Sequence, residues 1–312
     1  MKILFMGTPD FAVPTLAGLV AARYDVAAVY TRPDAPAGRG RTLGASPIKK
    51  LAEAHQLDIR QPHSLRGEEA RHELESLKPD VIVVAAYGLI LPQAVLDIPR
   101  LGCVNVHASL LPAHRGASPI AAAINAGDCF SGISIMRMDR GIDTGDVYSR
   151  AMIPIFDHDT TGSLTARLAD IGVAALLDIL PQLESGNVKA VPQPTAGASY
   201  APMLTKNDGH INWDRPAVLI WQQVRALQPW PGAFTAWAGK QLKLLDTVPI
   251  AITTTVHPGT VVELPTEASV PWGISTIDGI LGVRRIQLEG KRPVHAAEFL
   301  RGQRGFVGTI LE

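Results

Sequence analysis

Cysteine is nearly missing: Cys103 and Cys129 are the only two in 312 residues. That excludes a disulfide framework, and neither stands in a CxxC pair or a histidine-flanked metal spacing, so both read as small buried hydrophobes in a reducing compartment. An excess of either charge is lacking too, since 29 Lys and Arg balance 29 Asp and Glu. Any nucleic-acid partner must therefore be held by a local basic surface and not by a field over the whole molecule. No apolar stretch is long enough to span a bilayer, and Met1 to Phe5 run straight into a glycine turn without the apolar length of a signal peptide. A cytoplasmic protein without membrane contact is expected. The nine histidines form neither HExxH nor a dense ligand cluster, and no GxGxxG or GxxxxGK(S/T) spacing occurs, so neither a metal nor a nucleotide cofactor is expected. Internal repeats are missing as well.

What is present is an alternation. Residues 2–6 form a short apolar run ending at Gly7, an amphipathic stretch follows from Thr15 to Ala22, and a second apolar run spans Val26 to Tyr30. These read as strand, turn, helix and strand. Helical patterns at 48–55 and 68–77 lead to Val81 to Ala86, a buried strand by its unbroken apolar character. The alternation predicts a Rossmann-like α/β domain, a parallel sheet with helices on both faces. In such sheets the ligand site lies beyond the carboxyl ends of the strands, which points to the loops after Ala86 and Val106.

A helix from Ser163 to Gly186 closes this region, and the Pro-containing stretch 191–199 reads as extended. After it the texture changes. A helix at 216–227 is followed by short β-like segments at 234–237, 242–246, 259–264, 273–277 and 280–288, with turn residues between them. Strands without intervening helices predict a small OB-like β-barrel. The expected organisation is a catalytic domain over 1–189, a linker over 190–206 and a C-terminal barrel domain over 207–312. Trp213, Trp221, Trp230 and Trp237 are expected to serve packing.

The densest cluster of polar groups in an apolar stretch is Val104-Asn105-Val106-His107-Ala108-Ser109. Side chains alternate along a strand, so Asn105 and His107 point to one side while Val104 and Val106 pack on the other. An amide N–H and an imidazole N–H side by side suit acyl transfer, because both can donate to the oxygen that turns negative when an amine attacks a carbonyl carbon. Asp143 stands in a glycine-punctuated loop after the apolar run from Ile133 to Met138. A carboxylate beside His107 orients the ring and favours its charged form. Taken alone, Asp143-Thr-Gly145 reads first as a turn closed by an Asx or Ser/Thr bond.

Together, Asn105-Val-His107, Ser109-Leu-Leu-Pro112, Arg115-Gly-Ala-Ser-Pro-Ile120 and Asp143-Thr-Gly-Asp146 resemble the signature of the formyltransferases that use 10-formyltetrahydrofolate. Gly7 to Ala12, and Pro33 to Arg41 ahead of Ser46-Pro47, are similar to the branch of that family that formylates methionine carried on initiator tRNA. The likeness runs through Ala86 to Pro92, Ile211 to Trp213, Arg225 to Gly232 and Phe299 to Gly302, nearly the whole chain. It implies a formyltransferase domain followed by the barrel, 10-formyltetrahydrofolate as formyl donor, and methionyl-initiator-tRNA as acceptor, giving N-formylmethionyl-tRNA for translation initiation. It assigns Asn105, His107 and Asp143 to catalysis. Ser109, Leu110, Leu111 and Pro112 would form part of the folate site, and Tyr87, Gly88, Leu89, Ile90 and Leu91 would flank the pteridine, chiefly through backbone. Ala108 and Ser134 depart from the family's usual residues without touching a catalytic group, and His114 is taken for a surface histidine.

The segment 31–50 carries Arg32, Arg39, Arg41, Lys49 and Lys50 among Pro and Gly, with Asp34 its sole acid. A basic loop of this kind suits the phosphates or splayed bases of an RNA end. The resemblance makes Arg39 the first tRNA-binding residue, Arg41 the second and Lys206 a third. No obligate protein partner is indicated. Three alternatives share the same polar set: a formyltransferase for a small amine, the folate-hydrolysing domain of a formyltetrahydrofolate dehydrogenase, and a non-catalytic RNA-binding module on the same fold.

Overall fold

The computed structural model describes residues 1–37, 42–264, 270–303 and 305–312. Contacts divide the chain into two compact units, one of Met1–Pro119, Phe130–Pro154 and Thr165–Ala201, the other of Ile120–Cys129, Ile155–Leu164 and Pro202–Glu312. Among the described residues no helix is long and apolar enough to cross a membrane.

The chain opens with β1 (Lys2–Gly7), α1 (Val13–Ala21) and β2 (Asp25–Tyr30), then a short pair, β3 (Ala35–Ala37) and β4 (Thr42–Gly44). Next come α2 (Pro47–Ala54), β5 (Ile59–Arg60), α3 (Glu68–Leu77), β6 (Val81–Ala85) and α4 (Gln93–Leu96). The start of α2 is set locally: Ser46 accepts the Lys49 amide at 3.0 Å and Pro47 fills the first turn, where its missing N–H costs nothing. Then follow β7 (Cys103–His107), β8 (Arg115–Gly116), α5 (Pro119–Ala126), β9 (Phe130–Arg137), β10 (Val147–Pro154), α6 (Thr161–Glu184) and β11 (Tyr200–Ala201).

In the first unit the main sheet runs β10-β9-β7-β6-β1-β2-β5. From β7 to β5 all neighbours are parallel. The parallel Rossmann-like sheet is as expected, and it is extended at its other end by two strands the sequence did not reveal as antiparallel, β9 against β7 and β10 against β9. Residues 138–146 join β9 to β10 as a hairpin, which needs only a loop, whereas β8 and α5 intervene in sequence between β7 and β9. β10 alternates between half-buried and exposed side chains, as an edge strand does, whereas β6 is buried throughout. Cys103 lies in the core, and burial pushes its thiol up to about 12. Cys129 is exposed, contrary to the expectation that both cysteines are buried; it falls in the turn between α5 and β9, outside either element's apolar face.

In the second unit α7 (Ala217–Ala226) precedes β12 (Ala233–Trp237), β13 (Lys240–Ile250), β14 (Val261–Glu263), β15 (Trp272–Ser275), β16 (Ile280–Leu288), β17 (Val294–His295) and α8 (Ala296–Gly302). The sheet is antiparallel in the order β12-β13-β16-β15-β14, with β17 beside β16. Residues 308–312 join its two ends. The Glu312 and Ala236 backbones exchange hydrogen bonds of 2.8 and 3.1 Å, while Val261 donates to Thr309 at 2.8 Å and Leu311 to Gly259 at 2.9 Å. The segment therefore ties the two edges of this half-barrel sheet together.

Trp272 and Phe306 fill the barrel interior edge to face at 5.0 Å. Trp213 is buried, and its indole N–H donates to Thr235 at 3.2 Å. Trp221 and Trp237 pack partly buried against the same core. Trp230 departs from the packing expectation: it is 53% exposed. It stands between Pro229 and Pro231 in the turn from α7 into β12, beyond the buried stripe of the helix.

Candidate active site

All five residues of β7 are buried. Val106 takes the face packed on α6, where a Cβ at Gly172 would lie 2.9 Å from its methyl group, so the bare glycine lets the helix come close. Asn105 and His107 share the opposite face, at 9% and 5% exposure. Asp143 comes to them from the 138–146 loop with a φ of +52°, a left-handed backbone that Asp tolerates better than most residues.

One Asp143 oxygen accepts the Gly116 amide at 2.8 Å and faces His107 Nδ1 at 3.6 Å. The other receives the Asn105 amide at 3.4 Å. The 3.4 Å bond is long, so the Asn105 donor can be redirected to a bound oxygen at little cost. On the far side of the ring, His107 Nε2 lies 3.2 Å from the His114 carbonyl. Both ring nitrogens thus face acceptors, which favours the doubly protonated ring, yet burial outweighs them and holds His107 below the ordinary imidazole value. As the sequence suggests, the Asp143 carboxylate favours the charged form of the ring, but desolvation is the larger effect.

The loop bearing Asp143 is fastened at several points. Asp139 accepts the Gly141 amide at 3.0 Å and the Thr144 hydroxyl at 2.8 Å. Gly145 passes directly over the Arg137 carbonyl, where any Cβ would collide. Gln193 donates to the Asp143 and Gly145 carbonyls at 2.8 and 2.7 Å and accepts from Arg115 at 2.7 Å. Segment 114–117 is held in turn by 199–201. The Ser199 hydroxyl accepts the His114 amide at 2.8 Å, its carbonyl accepts the Arg115 amide at 2.9 Å, and β8 pairs with β11.

Ser109 to Pro112 follow β7 directly. The Ser109 hydroxyl donates to the Ala113 carbonyl at 2.6 Å, and Ser134 bridges the turn by donating to the Ser109 carbonyl at 2.7 Å and accepting the Leu111 amide at 3.0 Å. Leu111 is buried, while Leu110 and Pro112 are half-buried. Tyr87 to Leu91 follow β6, the neighbouring strand. Tyr87 and Leu91 are buried, Ile90 is 73% exposed and Leu89 is half-buried. The Thr8 hydroxyl donates to the Tyr87 carbonyl at 2.9 Å and Arg32 to the Gly88 carbonyl at 2.9 Å, fixing the loop from below. Arg39 and Arg41 lie outside the described residues. Lys206 is exposed at the head of a short helical turn in the second unit. A cleft lined by Cys103, Arg137, Met138 and Asp146 adjoins the 138–146 loop but includes none of Asn105, His107 or Asp143.

Residues 1–180 match the family model described as formyl transferase, and residues 203–304 match that of the formyl transferase C-terminal domain. The chain belongs to the formyl transferase family. It is 49% identical over 311 residues to the methionyl-tRNA formyltransferase of Dehalococcoides mccartyi strain CBDB1, covering 100% of this chain and 98% of that protein. The protein of the same name from strain ATCC BAA-2266 is 47% identical over 315 residues, with the same coverage. Among solved structures the chain resembles WlaRD, a sugar 3N-formyl transferase, with a TM-score of 0.66 at 18% identity over 94% of this chain and 99% of that one. HypX from Aquifex aeolicus in complex with tetrahydrofolic acid gives 0.65 at 20% identity over 99% of this chain, which spans 48% of HypX. At such identities these two likenesses concern the fold.

Gln193, Ser199 and the backbone of 114–116, which hold the Asn105, His107 and Asp143 cluster in this formyltransferase, were not evident in the sequence. Gln193 had one available signal: Pro192 and Pro194 enclose it, and two fixed φ angles hold a lone polar residue in an extended chain. The His114 carbonyl carried no such signal, because the role belongs to its backbone.

Proposed function

We propose that this formyltransferase moves the formyl group of 10-formyltetrahydrofolate to the α-amine of methionine carried on initiator tRNA, giving N-formylmethionyl-tRNA in the cytoplasm. The observation that carries the reading is the convergence of the Asn105 amide, the His107 imidazole and the Asp143 carboxylate in one buried space. Near-half identity along the whole chain to proteins named methionyl-tRNA formyltransferase supports the acceptor.

The residues present fit a folate. A flat heteroaromatic ring needs an apolar wall and backbone hydrogen-bonding groups, and the 87–91 loop offers Ile90, Leu89 and the open glycine at 88, where an added Cβ would meet only the tip of Arg32 at 4.0 Å. Leu110 and Pro112 supply a second apolar side. 10-Formyltetrahydrofolate brings a formyl group on N10, ready for transfer to an amine.

Asn105 donates its amide N–H to the formyl oxygen as negative charge develops there, in a site where water is largely excluded. His107, uncharged, takes the proton released as the new C–N bond forms and returns it to the departing nitrogen as the old C–N bond breaks. With Nε2–H given to the His114 carbonyl, Nδ1 is the basic atom, and a proton arriving there lies between the ring and Asp143. Asp143 therefore orients the ring and stabilises its transient charge. On the tRNA side, Arg39 and Arg41 of the basic segment, and Lys206, are the residues assigned to phosphate and acceptor-end contact.

The deciding experiment offers the purified protein 10-formyltetrahydrofolate with charged initiator tRNA, charged elongator tRNA, free methionine or an amino sugar nucleotide. Transfer confined to the initiator is the expected result. Equal use of free methionine or preference for the sugar overturns the reading.

A further inference from the structure

We infer that Gln193, outside the Asn105, His107 and Asp143 set, is a positioning residue for the transfer reaction: its carboxamide, backed by Arg115, holds the turn that presents Asp143 to His107. The inference rests on the reading above and adds a fourth side chain to it, from the stretch between the two matched domains.

The geometry is specific to a carboxamide. Gln193 Nε2 donates one bond to the Asp143 carbonyl at 2.8 Å and another to the Gly145 carbonyl at 2.7 Å. Its Oε1 accepts both Arg115 Nε at 3.1 Å and Arg115 Nη2 at 2.7 Å. Donors and acceptor are all engaged, so the amide can face only one way. One of the two carbonyls it grips belongs to Asp143 itself, the residue with the left-handed backbone, and the other lies two residues on, so the tie falls at the point of the turn with most to gain from it. Arg115 belongs to the same short run whose neighbours hold the other members: the His114 carbonyl meets His107, and the Gly116 amide meets Asp143. Gln193 thus joins the segment that fixes the histidine to the loop that carries the carboxylate.

A side chain that only stabilised the fold would lower melting temperature and leave the chemistry of folded molecules unchanged. One that sets the Asp143 position alters kcat and the titration of His107. The groups facing that ring are the Asp143 carboxylate, the His114 carbonyl and the His114 ring. When Asp143 drifts away, the ring loses the carboxylate that raises its proton affinity, so the acid limb of the pH–rate profile moves to lower pH.

The test compares the full chain with Gln193→Met, which keeps the length and removes both donor and acceptor. With charged initiator tRNA and formyl donor both saturating, kcat is expected to fall roughly 10- to 100-fold, as for a misplacement of about 1 Å, with KM for the donor little changed and the acid limb displaced downward. A kcat within twofold of the parent, or an unmoved limb, overturns the inference. If Gln193→Met does not fold, Gln193→Asn keeps the amide but shortens its reach, and an unmoved limb there overturns it equally. A parent protein that transfers no formyl group to charged initiator tRNA refutes the functional reading instead, so the two failures are distinguishable.

Discussion

The Asp143 oxygen that faces His107 Nδ1 at 3.6 Å is the same oxygen that accepts the Gly116 amide at 2.8 Å. The shorter bond is to backbone, so the carboxylate is placed by the main chain and the imidazole is oriented against it. Asp143→Asn keeps an oxygen for the Gly116 amide and removes the charge. Folding is expected to persist while turnover falls by roughly 10²–10⁴, the usual worth of positioned acid–base help. Circular dichroism and kcat check this together; turnover close to the parent's would remove Asp143 from the mechanism.

Asn105 is expected to act at the oxygen. Asn105→Ala removes one preorganised donor, worth about 2.7–4 kcal/mol, so kcat is expected to drop roughly 10²–10³-fold while affinity for the formyl donor stays near parental. Stopped-flow or quench kinetics at saturating donor separate the two. A loss confined to donor binding would make Asn105 a binding residue.

The buried neutral histidine has a stability signature. His107 is held below its ordinary 6.5 chiefly by burial, so between that value and the lower native one the unfolded chain binds the proton and the native chain does not. Its contribution to stability is complete above pH 6.5 and is lost as the pH falls through the native value. Urea unfolding from pH 7 downward is expected to show a steeper loss for the parent than for His107→Asn. Equal slopes would mean that the ring charges as easily folded as unfolded.

Gly116 has two reasons to be glycine. Its φ is +114°, and an added Cβ would stand 2.6 Å from the Ala201 carbonyl oxygen. Gly116→Ala is expected to cost about 1–3 kcal/mol through backbone strain and to reduce turnover by pulling the amide from Asp143. Thermal melts and kcat measure both, and an alanine variant as stable and active as the parent would show that β8 tolerates displacement.

Strand periodicity was enough to put Asn105 and His107 on one face of β7, because alternation is a local property of extended chain. The unbroken apolar run at Val81 to Ala85 likewise revealed β6. β10 was hidden because Tyr148, Ser149 and Arg150 interrupt any apolar pattern at an edge exposed to water. The hold on Asp143 was illegible for a different reason. Gly116 acts through an amide, His114 through a carbonyl, and Gln193 is distant in sequence, so none of their roles appears in side-chain pattern. Burial of His107 was foreseeable from its apolar neighbours, but not that desolvation would outweigh Asp143, a balance that depends on distance.

The seam at 308–312 bears on how this protein can be handled. Ala236 and Glu312 are zipped by a reciprocal pair of amide bonds, so a purification tag fused after Glu312 starts from a residue already woven into the barrel wall. A flexible spacer should precede any such tag. Removing residues 309–312 would bare the β12 and β14 borders, and the altered protein is expected to self-associate through them.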